Sequence, residues 1–149
     1  MLTFCELELE STLLYSEKLH NSLITIGDHI RNKRLSLELT QEKVAEILHV
    51  TTDSITGWEK NRSNPQIQFM PAIINFLEYL PIKIDKNSIS GKTKAIRLFK
   101  GMSQKKLGKL LNIDPSTIDN LENGRHRPSV KVRNIINGYF NNLNKKLLK

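Results

Sequence analysis

Residues 40–65 read TQEKVAEILHVTTDSITGWEKNRSNP, and 63 residues later, at 103–128, the chain reads SQKKLGKLLNIDPSTIDNLENGRHRP. Gln41, Lys43 and Leu48 fall on Gln104, Lys106 and Leu111. Ile55, Glu59, Arg62 and Pro65 fall on Ile118, Glu122, Arg125 and Pro128. No gap is needed, and the match extends back to Arg34-Leu35 on Arg97-Leu98. A fixed-offset repeat of this kind predicts two copies of one folded module.

Within each copy the pattern predicts two short helices. Thr40 is an N-cap for a helix over 41–48, although Lys43 stands where a full capping box would have Glu or Gln. Val44, Ala45 and Leu48 fall on one face. After a break at His49-Val50, Thr51 caps a second helix over 52–60. Its inner face is Ile55, Trp58 and Glu59; its outer face is Thr52, Asp53, Thr56, Gly57 and Lys60. In the second copy Ser103 caps 104–111, and Asp114 caps 115–123, with Pro115 at the first helical position. Helices this short must cross steeply against a third element. Ala45 and Gly108 supply small residues at the crossing.

These residues resemble the Cro/CI-type, XRE-family helix-turn-helix of phage repressors and bacterial regulators. The resemblance covers about 26–79 and 89–140. It implies an all-α chain, with two tandem lambda-repressor-like bundles of four to five short helices each. The expected boundaries are an N-terminal extension at 1–23, a first domain at 24–80, a linker at 81–88 and a second domain at 89–149. Pro81 is expected to stop the last helix of the first domain. The family usually has glycine in the turn, where His49 and Asn112 stand here. Both residue types tolerate the left-handed conformation.

The resemblance also assigns roles. It implies structural ion pairs of Arg34 with Glu59 and Arg97 with Glu122, since a carboxylate on an apolar helix face needs a cation. Recognition helices should present Thr51, Thr52, Asp53, Thr56 and Gly57 in the first module, and Asp114, Pro115, Ser116, Asp119 and Asn120 in the second, to major-groove base edges. Asn120 suits a bidentate contact with adenine. The acids either accept from cytosine or serve as helix caps. Gln41 and Gln104 resemble the family's phosphate-binding glutamine. Lys60, Arg62, Asn123, Arg125 and Arg127 lie where the family loop tracks the DNA backbone. Lys92, Lys94, Lys105, Lys106 and Lys109 are candidates for a cationic face.

Composition agrees with a nucleic-acid partner. The 149 residues carry a net charge of +8. Residues 1–23 hold −3 and residues 24–80 hold −1, while residues 81–149 hold +12. The polyanion preference therefore lies in the second half. No apolar run is long enough to span a membrane. The first ten residues carry three glutamates and no Lys or Arg, so no leader peptide is expected there. The single Cys5 permits no intrachain disulfide, and a reducing, cytoplasmic setting in a bacterium or phage host is expected. His20, His29, His49 and His126 show no metal-ligand spacing. No nucleophile–base pair or phosphate-cradling glycine loop appears, so no enzyme, cofactor or small-molecule ligand is expected.

Outside the repeats, Ile67, Phe69, Ile73, Ile74, Phe76 and Leu77 predict a core-facing fourth helix with Pro71 in its first turn. Val130, Val132, Ile135, Ile136 and Phe140 echo them, and the basic tail at 141–149 is expected to fray. The alternating Leu and Glu of residues 1–23 suit a helix that docks on the first module, on a second copy in a homodimer, or on a protein partner. The leading functional expectation is a sequence-specific double-stranded DNA-binding transcriptional repressor. The alternative is a protein-interaction module, such as an antitoxin or adaptor.

Overall fold

A computed structural model describes residues 23–146, with side chains to Leu143. The reading of residues 1–22, Cys5 included, and of the last three residues lies outside the described residues. Helices and connecting turns make up the described chain, which contains no strand. The described chain divides into two compact units, with the division between Lys83 and Ile84.

The first unit starts with α1, Ile26–Ser36. Thr25 and Asp28 form a complete capping box: Asp28 N donates to Thr25 Oγ1 at 3.0 Å, and Thr25 N to an Asp28 carboxylate oxygen at 2.9 Å. These bonds, first of all the Thr25 amide, hold the Asp28 carboxyl below its ordinary value. Next comes α2, Gln41–Leu48, where Thr40 accepts from Lys43 N. His49 then takes φ 54° and ψ 46°, the left-handed turn conformation. After α3, Thr52–Glu59, a 3-10 turn at Ile67–Phe69 leads into α4, Met70–Leu77, with Pro71 in its first turn.

Ile30, Val44, Leu48, Ile55, Ile73, Leu77 and Leu80 form the buried interior of this unit. Trp58 leans on Phe69 with ring centroids 5.7 Å apart. His29 is fully buried, its Nδ1 2.8 Å from the Tyr79 hydroxyl, and so ties α1 to the segment after α4. One expectation fails here. Pro81 does not end α4; Glu78 does, at φ 67°, in a left-handed C-cap three residues earlier.

The second unit repeats the plan. Asn87 N bonds Asp85 Oδ1 in a tight turn, and Ser88 caps α5, Ile89–Lys100. The following helix, α6, Gln104–Leu111, is capped by Ser103 and ends at Asn112, again φ 54° and ψ 46°. Then come α7, Pro115–Glu122, and α8, Val130–Lys146. Gly108 is buried at the α6–α7 crossing: a Cβ there would lie 2.6 Å from the Ile113 carbonyl oxygen.

Two more expectations are corrected in α8. Val130 is 71% exposed rather than part of the core. The stretch expected to fray is helical to Lys146, and Leu143 packs beside Ile96, Ile136 and Phe140. A buried Leu143 one turn past Phe140 extends the apolar stripe, which holds the helix in place despite its basic end.

Candidate nucleic-acid interface

Each unit is organised around one buried carboxylate. Arg34 Nε donates to Glu59 Oε1 at 2.7 Å and Arg34 Nη2 to Glu59 Oε2 at 2.8 Å. The third arm of the guanidinium, Nη1, reaches the Leu39 carbonyl at 3.1 Å. The second unit reproduces this set. Arg97 bonds Glu122 at 2.5 and 2.9 Å, and its Nη1 bonds the Met102 carbonyl at 3.1 Å. A bidentate arginine satisfies both oxygens of a desolvated carboxylate. Burial by itself pushes the Glu59 carboxyl up, but the bonds from Arg34 and Gln41 outweigh it and hold it below its ordinary value. The same contact holds the Arg34 guanidinium above its own.

The two glutamines face inward onto these pairs. Gln41 Nε2 donates to Glu59 Oε2 at 2.9 Å, while Gln41 Oε1 accepts from the Thr56 hydroxyl at 2.9 Å. Gln104 Nε2 lies 3.1 Å from both Glu122 Oε2 and Asp119 Oδ1. Thr56 and Asp119 occupy matching repeat positions. In both copies the glutamine Nε2 donates to the buried glutamate; a donor in one copy and an acceptor in the other change only which end of the amide meets this position, Oε1 for Thr56 and Nε2 for Asp119. Sequence pattern missed this role; the paired offsets of Gln41 with Thr56 and Gln104 with Asp119 were the available signal.

The outer faces of α3 and α7 carry the remaining candidates. Thr51, Thr52 and Asp53 are exposed, as are Asp114, Pro115 and Ser116. Asp114 Oδ1 accepts from the Ser116 amide and hydroxyl, which hold the Asp114 carboxyl below its ordinary value. It is thus a helix cap. Asp119 is a junction within the unit: besides Gln104, it accepts from Asn123 Nδ2 at 2.9 Å and pairs with Arg125 at 3.0 Å. Asp53 lies 3.7 Å from Arg62. The Asn120 amide is half-buried and no described residue bonds it.

Gly57 does not stand on the outer face. It is buried, because the chain after α3 folds back so that Arg62 N donates to the Gly57 carbonyl at 2.9 Å. Arg125 N makes the matching bond to the Asn120 carbonyl. Both loops leave their helices through a left-handed residue, Asn61 at φ 55° and Gly124 at φ 63°. Lys60, Arg62, Asn123, Arg125 and Arg127 are all exposed on these loops. Lys105, Lys106 and Lys109 are exposed along α6, and Lys94 on α5. Lys92 instead turns inward to Asn137 Oδ1 at 2.8 Å.

A capped helix, a left-handed turn, a second capped helix and a returning cationic loop define a helix-turn-helix unit, here present twice. A helix-turn-helix family model matches the chain at residues 30–83 and again at 94–132. The chain belongs to the helix-turn-helix family of DNA-binding regulators, in the Cro/CI type, as two tandem copies. Neither the curated proteins nor the solved structures yield a match to it. Among the described residues, no helix is long and apolar enough to cross a membrane.

Proposed function

We propose that the protein is a sequence-specific double-stranded DNA-binding repressor that reads the major groove with α3 and α7. The observation that carries this reading is the unbonded amide of Asn120 on α7, flanked by the cationic loop of Arg125 and Arg127. An amide with both edges available matches the donor–acceptor pair of adenine in the major groove. In the first unit, the methyl groups of Thr52 and Thr56 suit thymine. Gln41, Gln104, Lys60, Arg62, Lys105, Asn123, Arg125 and Arg127 would set register on the phosphates without reading sequence. The domain limits of 24–80 and 89–149 belong to the same proposal, each domain taking one half-site.

Selection of bound sites from random duplex DNA tests it. The intact chain should return a two-part motif. Asn120→Ala should erase one part and Thr52→Ala weaken the other. Affinity should fall steeply between about 50 and 200 mM salt as condensed cations are displaced. A flat salt response would overturn the proposal.

A second reading, a protein-interaction module, is favoured by two side chains. Leu35 and Leu37 are 55% and 49% exposed, where the second unit has buried Leu98 and charged Lys100. Two exposed leucines close together at the end of α1, in the less basic unit, suit a protein partner, whether a second copy or a toxin-like protein. Loss of a co-purifying partner on Leu35→Glu supports it; an unchanged elution profile opposes it.

A further inference from the structure

The second unit carries an open cleft of about 540 Å³ between the start of α5, the loop after α7 and the first half of α8. Its lining includes Lys92, Arg125, His126, Arg127, Arg133 and Asn137, and no carboxylate. Leu121 and Ile89 give it a small apolar floor. The volume lies in the range of small-molecule sites.

The first unit shows what this space is in the sister copy. At the 63-residue offset, Lys92, Arg133 and Asn137 correspond to His29, Met70 and Ile74, all buried there. The helices of both copies start in register at these positions, Ile26 with Ile89 and Ile67 with Val130. Positions that fill a core in one copy therefore hold cations and an amide around a cleft in the other. The framework beneath is unchanged: Ile73 and Ile136, at matching positions, are both fully buried.

Lys92 points to what the cleft takes. It is half-buried, held by the Asn137 side-chain oxygen and placed 5.9 Å from the centre of the Phe140 ring. A neutral amide and a ring face orient an ammonium without neutralising it. The nearby acids are committed elsewhere, Glu122 to Arg97 and Asp119 to Arg125. No ion pair from the described residues reaches Lys92, Arg127 or Arg133. A half-buried ammonium grouped with arginines and with no carboxylate in the lining attracts an anion. Planar guanidinium forks beside a compact ammonium match phosphate oxygens.

We propose that this cleft binds a small molecule bearing two adjacent phosphates, of nucleoside diphosphate size. Lys92 forms its inner wall, and Arg127 and Arg133 its rim. The site stands whether or not the unit reads DNA. If it does, Arg125 and Arg127 serve both ligands, and occupancy of the cleft would lower the grip on the DNA backbone.

Isothermal titration of the full-length protein with pyrophosphate, then with a nucleoside diphosphate, tests the proposal. Saturable one-to-one binding is expected. Lys92→Met and Arg133→Gln should each weaken it at least tenfold, while Lys109→Gln, an exposed lysine on α6, leaves it unchanged. Arg133 is exposed, so Arg133→Gln keeps the test valid should Lys92→Met unfold. No saturable heat up to millimolar pyrophosphate overturns the assignment. So does an equal loss in Lys109→Gln, which would mean general surface charge. A duplex titration of the same variants separates the two phosphate sources. If Lys92→Met and Arg133→Gln weaken duplex binding as much as pyrophosphate binding, the cleft is a backbone contact and the small-molecule assignment fails. If only pyrophosphate binding falls, it stands.

Discussion

Replacing Arg34 with Met should strongly destabilise the first unit while leaving the second unchanged. The Glu59 side chain is only 3% exposed and takes two bonds from Arg34. Removing the guanidinium leaves that carboxylate with Gln41 alone and strips the Leu39 carbonyl of its donor. Breaking a buried pair from one side costs about 3–5 kcal/mol. A unit of about 60 residues has a total stability of only about 3–9 kcal/mol, at about 0.05–0.15 kcal/mol per residue. One substitution therefore removes from about a third to all of the reserve. The assay is urea unfolding followed by fluorescence, because the sole tryptophan, Trp58, is buried in the first unit and adjoins Glu59. The Trp58 transition should move to much lower urea, while a later far-ultraviolet dichroism transition from the second unit keeps its midpoint. Two internal controls sharpen the argument. Arg34→Met should lose less at pH 4 than at pH 7, since protonation relieves the orphaned charge. Arg34→Met combined with Glu59→Leu should recover at least half of the loss, with the unbonded Leu39 carbonyl and Gln41 amide limiting the rest. A loss below about 1 kcal/mol for Arg34→Met, or a double variant no better than the single, would refute the reasoning that this buried pair organises the unit.

Other outcomes are as definite. His49→Gly should raise the melting temperature of the first unit by a few degrees, because release of left-handed strain, about 1–2 kcal/mol, exceeds the added chain entropy, about 0.5–1 kcal/mol; calorimetry showing a decrease would contradict this. Gly108→Ala should destabilise the second unit by about 1–3 kcal/mol, since its new Cβ meets a backbone oxygen at 2.6 Å, and an unshifted urea midpoint would count against the tight crossing. Glu59 and Asp28 both have carboxyls held below their ordinary values of 4.5 and 3.8. Their stabilisation is complete above those values and is lost as pH falls through the lower folded-state ones. The Trp58 unfolding midpoint should therefore stay level near neutrality and drop in acid below about pH 4.5; a midpoint that rises on acidification would reverse the sign.

Local physics explains what was legible beforehand. Caps at Thr40, Thr51, Ser103 and Asp114 and left-handed turns at His49 and Asn112 depend on neighbours within a few residues, so they are written where they act. The Arg34–Glu59 and Arg97–Glu122 pairs span 25 residues, yet their recurrence at one offset made them visible. Gly57 shows the limit. Helical periodicity places it outward, but burial comes from a loop that returns to its carbonyl, which no period encodes. Val130 misled for a related reason: the echo of a fourth-helix pattern assumed that both copies start their apolar stripe at the same residue. Arg125, expected to be available to phosphate, is paired with Asp119, a contact set by the loop's path and not by either residue type. The cleft beneath Lys92 was invisible because sequence reports that a lysine replaces a histidine, not that space opens beside it.

The glutamine amides carry a last consequence. Gln41 is fixed at both ends before any ligand arrives, by Glu59 on one side and Thr56 on the other. Any contact made through it needs almost no further ordering, and the entropy of positioning has been spent during folding. In the second unit, Asp119 gathers Gln104, Asn123 and Arg125 at once. A ligand that recruits Arg125 must first break its bond to Asp119 Oδ2, while Gln104 and Asn123 hold the other oxygen, Oδ1. The first unit should thus engage as a rigid template with small heat effects, and the second with a binding enthalpy reduced by the loss of its own Arg125–Asp119 bond.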